Sequence, residues 1–287
     1  FKVQTLSETK KFSDFNQKVI EMVVTEARNL AIKEILPTSP IGDKVGCRFE
    51  NGEVILPEEF HHVWKLLRAG EWFVPTANEE WGGQGMPKSV ALAARDYING
   101  ANIALFMIAG LSHGAGCVIE QFGTREQKNL YLKKIYSGEW ATAMHITESE
   151  SGSDLTRIST TAEPRPDGKY SLCGSKIFIT GGHHTLTKNI IHLVLARIKG
   201  APEGSQGLSL FLVPGFHVDE KGRCGEKNDI ICTGIEEKMG LHASPTCSMS
   251  LGSRYECLGT LLGEKNKGLY AMFSMMNDAR LLVGSQG

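Results

Sequence analysis

At 287 residues, 41% of them hydrophobic, the chain is long enough for two packed units or one large one, because a single core stops growing near that size. Its 31 Lys and Arg against 32 Asp and Glu leave a formal charge of -1, so no long-range field gathers nucleic acid or an anionic membrane, and any bound anion must be held by local groups. Seven Cys without a Cys-x-x-Cys exclude a disulfide framework or zinc knuckle and predict buried thiols in a reducing compartment. With no run of about 18 apolar residues and no signal peptide, the expectation is a soluble, cytoplasmic protein with no membrane partner. The chain starts at Phe1 without Met and stops at Gly287 within a helical pattern, which predicts a fragment of a longer protein.

Phe12, Phe15, Val19, Met22, Val23, Ala27 and Leu30 recur at three and four, predicting one amphipathic helix from Phe12 to Leu36, closed by Pro37. Pro57 opens a second helix in its first turn, with Phe60, Val63, Trp64 and Leu67 on one face and Gly70 as its cap. The glycines of Glu79-Glu-Trp-Gly-Gly-Gln-Gly-Met-Pro87 read either as close backbone approach to a ligand or, better, as a tight turn. From Ser89 to Gly123 the helical pattern is nearly continuous, with breaks expected at Asn99-Gly100 and Gly110. Gly110-Leu-Ser-His-Gly114 has the spacing of a hydrolase nucleophile elbow. An elbow needs a strand before it, whereas helical periodicity runs into this one, so small residues that let helices approach closely are the better reading. Thr124-Arg-Glu-Gln127 reads as a capping box for a helix through Tyr136.

From Ala141 the hydrophobic period changes to two, predicting an antiparallel sheet. Its strands are expected at Ser159 to Glu163, Tyr170 to Cys173, Lys176 to Thr180, Ile190 to Arg197, Leu208 to Val213, Ile231 to Lys238, Thr246 to Leu251 and Leu258 to Glu264. Lys267 to Gly287 returns to helix, with Leu269, Met272, Phe273, Met276, Arg280 and Leu281 on adjoining turns. The fold class is therefore α+β: a helical domain over 1–140, a barrel-like β domain over 141–264, and the first helix of a truncated C-terminal helical bundle over 265–287.

Two stretches carry the chemistry. Met144-His-Ile-Thr-Glu-Ser-Glu-Ser-Gly-Ser-Asp154 is a strand that breaks into short hydroxyls and glycine, a composition suited to a phosphate or a polar ring edge. In Lys176-Ile-Phe-Ile-Thr-Gly-Gly182, Phe178 and Thr180 lie two apart and share a strand face, where an aromatic and a hydroxyl can pack on a flat heteroaromatic ring and bond its edge, although such pairs more usually serve a strand's packing. The neighbouring pairs among histidines 61, 62, 183 and 184 do not converge on one ion, so no metal is expected.

Ile146-Thr-Glu-x-x-x-Gly-Ser-Asp154 followed by Gly174-x-Lys-x-Phe-Ile-Thr180 resembles the flavin-binding signature of the acyl-CoA dehydrogenase family. Lys238-Met-Gly-Leu-His-Ala-Ser-Pro-Thr246, Leu262-Gly-Glu-x-x-x-Gly268 and Asn277-Asp-Ala-Arg280 follow in that family's order. Ile190 to Arg197 and Gly207 to Pro214 are closest to its long subgroup of 3-methylmercaptopropionyl-CoA dehydrogenase type. The resemblance implies FAD as cofactor, with Met144, Ile146, Thr147, Gly152, Ser153, Phe178, Ile179 and Thr180 along it, and Thr147 and Thr180 donating to the ring. It implies an acyl-CoA substrate contacted by Ser153, Asn277 and Arg280, and places the Gly82 to Gly85 loop near the acyl group. The implied reaction is α,β-dehydrogenation: a carboxylate takes the α proton and a hydride goes to FAD. Ala279 fills a slot where some relatives carry the basic Glu, so no catalytic residue is expected in this chain. Electron-transfer flavoprotein is the implied acceptor and a homo-oligomer the implied assembly. An acyl-CoA oxidase, or a non-catalytic flavin-binding stress-response relative, remains open.

Overall fold

The structure, a computed structural model, describes residues 2–287, with Gln4 described by its backbone only. Val3–Glu8 and Lys10–Phe12 are short 3₁₀ turns, and the first helix, α1, spans Gln17–Leu30. It starts later than the apolar spacing predicts because Ser13, Asp14 and Asn16 compete for backbone hydrogen bonds, and Asn16 Oδ1 accepts the Val19 N–H at 3.1 Å as the cap. A π-helical turn at Ala31–Ile35 continues the run to a turn at Leu36-Pro37, where it closes as predicted, and α2, Thr38–Val45, follows. A small hairpin not foreseen from the sequence, β1 (Arg48–Glu50) with β2 (Glu53–Ile55), precedes α3, Glu58–Ala69. Phe60, Val63, Trp64 and Leu67 are the buried face of α3, as predicted, while Pro57 sits one residue earlier, at the cap.

The glycine loop is a tight turn. Gly82 and Gly85 have φ of 96° and 60°, and a Cβ on Gly83 would lie 2.1 Å from the Ala77 carbonyl oxygen. Three helices follow: α4 (Lys88–Ala101), α5 (Ile103–Ala109) and α6 (Leu111–Phe122). The first break falls at Asn102 and not at Asn99-Gly100, because Asn102 turns extended and its Oδ1 caps Leu105 N–H at 3.1 Å. Ile103–Phe122 is long and apolar enough to cross a bilayer by length and composition, yet it is two helices, mostly buried against neighbouring elements. Ser112 is buried inside α6, so the elbow spacing carries no nucleophile. Helix α7, Arg125–Tyr136, starts at a complete Thr124–Gln127 capping box.

The sheet comprises β3 (Ala141–His145), β4 (Thr161–Pro164), β5 (Tyr170–Thr180), β6 (Ile190–Ile198) and β7 (Leu208–Pro214), then a separate hairpin of β8 (Phe216–Val218) and β9 (Cys224–Lys227), then β10 (Ile230–Ile235), β11 (Thr246–Leu251) and β12 (Cys257–Leu262). The two predicted strands around Cys173 and Lys176 are one continuous β5. Pairing runs β5 to β12 to β7 to β6, and β4 joins β6 back to β5, which closes a barrel. Its ladders are not all antiparallel, as expected from period and turns alone: β3 and β4 both pair parallel to β6. Beyond the barrel, β11 and β10 extend the sheet from β5.

Helix α8, Gly268–Gln286, lies along α6. Small residues on α6 permit this: a Cβ on Gly110 would meet Leu282 at 2.4 Å, and one on Gly116 would meet the Tyr136 ring of α7 at 1.9 Å. One apolar core runs from α3 through α5 and α6 into β3, β6 and β7. All seven cysteines are free, but Cys173 and Cys224 are exposed, which corrects the expectation that every thiol is buried.

Candidate functional site

Strand β3, held parallel to β6, carries Met144 toward a cavity of about 620 Å³, within the range typical of ligand sites. After Thr147 the chain turns back on itself: Glu148 N–H to Ser151 O is 2.9 Å and Ser151 N–H to Glu148 O is 3.0 Å, with Ser149 and Glu150 at the exposed tip. Ser151 Oγ donates to Asp154 O at 2.6 Å, which lays Gly152 and Ser153 along the cavity edge. A Cβ on Gly152 would meet nothing within 4 Å, so its glycine leaves backbone open toward the cavity without any demand from protein packing.

Strand β5 supplies the opposite wall. Its register against β11 slips between Lys176 and Ile179, and Phe178 takes φ 60°, a left-handed setting that is costly for an aromatic residue. The bulge breaks the alternation assumed from the sequence. Phe178, 58% exposed, and its neighbour Ile179 both line the cavity, and Thr180 does not. From α8, Leu269, Phe273 and Met276 complete an apolar side, and Ser205 stands at the loop between β6 and β7.

Glu148 and Lys176 tie the two walls together. The Lys176 ammonium, wholly buried, donates to Glu148 Oε1 at 2.8 Å and to Ile146 O at 3.0 Å. The same carboxylate accepts the Ser159 and Thr160 N–H groups at 2.7 and 3.1 Å and both hydroxyls, so its lone pairs are satisfied. Burial works against the Glu148 carboxylate, but the Lys176 charge and these hydrogen bonds outweigh it and hold its pKa down; burial pushes Lys176 down against the pull of Glu148. A third contact, Ile177 N–H to Thr147 O at 2.9 Å, joins the same segments through backbone. Behind β3, His145 Nε2 and His192 Nδ1 lie 2.8 Å apart with both pKa values lowered, chiefly by burial, so the pair is neutral packing.

Of the residues singled out from the sequence, Met144, Ile146, Thr147, Gly152, Ser153, Phe178 and Ile179 meet at this one cavity. Thr180 lies outside its lining, paired across the ladder with Thr246. Asn277 and Arg280 also lie outside it, exposed on α8, with the Arg280 guanidinium donating to the Asn277 side chain. Sequence reading set Leu269, Phe273 and Met276 on adjoining turns of a helix but gave them no part in the site, and it passed over Ser205, for which no periodic signal exists. It also left Glu148 and Lys176 without a role, although an acid and a base stood in the two stretches it paired. A smaller cavity of about 380 Å³ beside α2 and β10, lined by Lys44, Cys47, Glu236 and His242, gathers none of these residues. Among the described residues no group of three or more His, Cys, Asp or Glu is placed to hold a metal ion.

The helical region and the strands that carry the motifs agree with what two family models match: the acyl-CoA dehydrogenase N-terminal domain over residues 18–139 and the acyl-CoA dehydrogenase middle domain over residues 143–253. The chain belongs to the acyl-CoA dehydrogenase family. The 3-methylmercaptopropionyl-CoA dehydrogenase of Ruegeria pomeroyi is 43% identical over 253 residues, a match that covers 88% of this chain and 42% of that protein. The acyl-CoA dehydrogenase of Geobacillus kaustophilus superposes with a TM-score of 0.76 at 26% identity, covering 95% of this chain and 65% of that one. For the fold alone, an acyl-CoA dehydrogenase from Bacillus anthracis, solved with FAD, gives a TM-score of 0.72 at 24% identity over 96% of this chain and 42% of that chain. The chain thus spans less than half the length of this curated relative.

Proposed function

We propose that the cavity between residues 144–156, the β5 bulge and α8 holds the isoalloxazine ring of FAD, and that the full-length protein performs α,β-dehydrogenation of an acyl-CoA thioester. The observation that carries this reading is the convergence of seven motif residues from two separate segments on one cavity, tied by a buried ion pair. The lining suits a planar ring with polar edges. Met144, Ile146, Phe178, Phe273 and Met276 offer apolar faces, and the hydroxyls of Thr147 and Ser153 are not engaged by any other described residue.

When bound, FAD supplies the acceptor for the β hydride. Residues 1–287 are assigned the binding and shielding. Thr147, Ser153 and the open backbone at Gly152 hold polar edges and phosphates, while the apolar wall excludes water that would compete for the reacting atoms. Arg280, an anion partner with a planar guanidinium, is assigned to the CoA portion together with Asn277 and Ser153. The proton acceptor is assigned to a carboxylate outside residues 1–287. Asp154 is the one carboxylate in the lining among the described residues, and it is occupied by Thr156 N–H and Oγ1 at 2.9 and 2.7 Å. Electron-transfer flavoprotein is the proposed acceptor, and the seven free thiols accord with a cytoplasmic setting.

Anaerobic mixing of the full-length protein with acyl-CoAs of graded chain length tests the reaction. Rapid bleaching of the oxidised-flavin absorbance by at least one member is expected, with slow reoxidation when air is readmitted. An unchanged spectrum with every member contradicts the enzyme, and rapid reoxidation with continuous peroxide turnover in air would make it an oxidase.

A further inference from the structure

Asp278 stands between Asn277 and Arg280 in the sequence but faces the other way. At about 100° per residue, Leu269, Phe273, Met276 and Arg280 fall on one face of α8, and Asp278 falls roughly opposite. There its Oδ2 meets His113 Nδ1 of α6 at 2.8 Å, and His113 Nε2 meets Thr76 Oγ1 at 2.7 Å. The side chains of His113 and Asp278 are only 4% and 15% exposed. Arg95, also buried, adds positive charge beside the carboxylate. Gly114 makes the approach possible, since a Cβ there would lie 3.1 Å from Met275 and 3.6 Å from Asp278 Oδ2.

Of the directional contacts on α8, Ser274 Oγ to Gln121 Oε1 of α6 at 3.0 Å is exposed and Asn99 Nδ2 of α4 to Ser285 Oγ at 3.3 Å joins two neutral groups, so the Asp278–His113 bond is the buried charged one, set among apolar contacts. Apolar packing alone tolerates small rotations of a helix, whereas a buried hydrogen bond to a charged group fixes a direction. We propose that the Asp278–His113 pair is the positioning contact that sets the rotation of α8, and so places Leu269, Phe273 and Met276 on the flavin cavity and Arg280 one turn further along the same face for the anionic part of the ligand. Neither residue lines the cavity, so both act through the helix. This inference rests on the function proposed above for the site.

The test uses the full-length protein with three variants. His113→Leu removes the partner of Asp278. The double variant His113→Leu/Asp278→Leu, made in an Arg95→Met background because Arg95 would otherwise lose the carboxylate beside it, removes both and leaves no buried charge unpaired, so it keeps the test alive where the single variant fails to fold. His113→Asn keeps a donor near the Nδ1 position. The measurements are KM and kcat with the best acyl-CoA, the FAD dissociation constant by flavin fluorescence, and the melting temperature. His113→Leu and the double variant should raise KM or the FAD dissociation constant about tenfold with kcat within about threefold, and His113→Asn should recover most of the loss. Both constants staying within about twofold of wild type, whatever happens to the melting temperature, would overturn the proposal and leave the pair as structural glue. Failure of the functional reading shows separately, as a wild-type protein that no acyl-CoA bleaches; the FAD dissociation constants still judge the positioning contact in that case.

Discussion

Glu148 and Lys176 are the residues on which the two cavity walls most depend. Lys176 is wholly buried, so Glu148→Gln would leave an ammonium without its counter-charge and should cost about 3–5 kcal/mol of stability, read by urea unfolding at neutral pH. The sign of its pH dependence follows from the folded pKa, which is lowered from 4.5 to about 2. The stability Glu148 contributes is therefore complete above about pH 4.5 and lost as the pH falls through about 2, so the gap between wild type and Glu148→Gln should narrow across that window. A gap that is constant from neutral pH to acid would show that the carboxylate is not held ionised by Lys176. Phe178 gives the opposite kind of prediction. It is more exposed than buried and pays for a left-handed backbone, so Phe178→Gly should stabilise the fold by about 1 kcal/mol while weakening FAD binding. Loss of stability without loss of affinity would remove Phe178 from the cavity's function. The same residue marks a limit of sequence reading. Alternation placed Phe178 and Thr180 on one face, and a bulge at a phenylalanine, announced by no glycine, turned Thr180 away.

At the scale of elements, the small residues of α6 decide how closely α7 and α8 approach. Gly116→Ala would drive a Cβ to 1.9 Å from the buried Tyr136 ring, which must move, and a destabilisation of about 1–3 kcal/mol is expected, read as a fall in melting temperature. An unchanged melting temperature would mean that the α6–α7 contact is loose. Helices with a capping box or a clean apolar face, such as α7 and α3, were legible in the sequence because their signals are local. The break at Asn102 was misplaced by three residues because Asn99-Gly100 looked the better breaker, while the capping bond that Asn102 makes appears only once α5 has docked. The parallel pairing of β3 and β4 with β6 was not legible, since a strand's own residues do not state which distant strand will receive it.

At the scale of the molecule, the helical part and the barrel share one continuous core, and α8 joins them at the cavity. The motif residues were legible because each lies in a short contiguous stretch. The apolar side from α8 was not, because Leu269, Phe273 and Met276 lie 90, 94 and 97 residues downstream of Ile179 and reach it through the closure of the barrel. The central claim is that this cavity receives FAD. Titration of FAD into the flavin-free full-length protein, followed by flavin fluorescence, tests it most directly. One FAD bound per chain is predicted, with affinity falling at least about tenfold in Glu148→Gln refolded under the same conditions; a protein that takes up no flavin, or one whose uptake ignores the loss of the Glu148–Lys176 tie, would contradict the account.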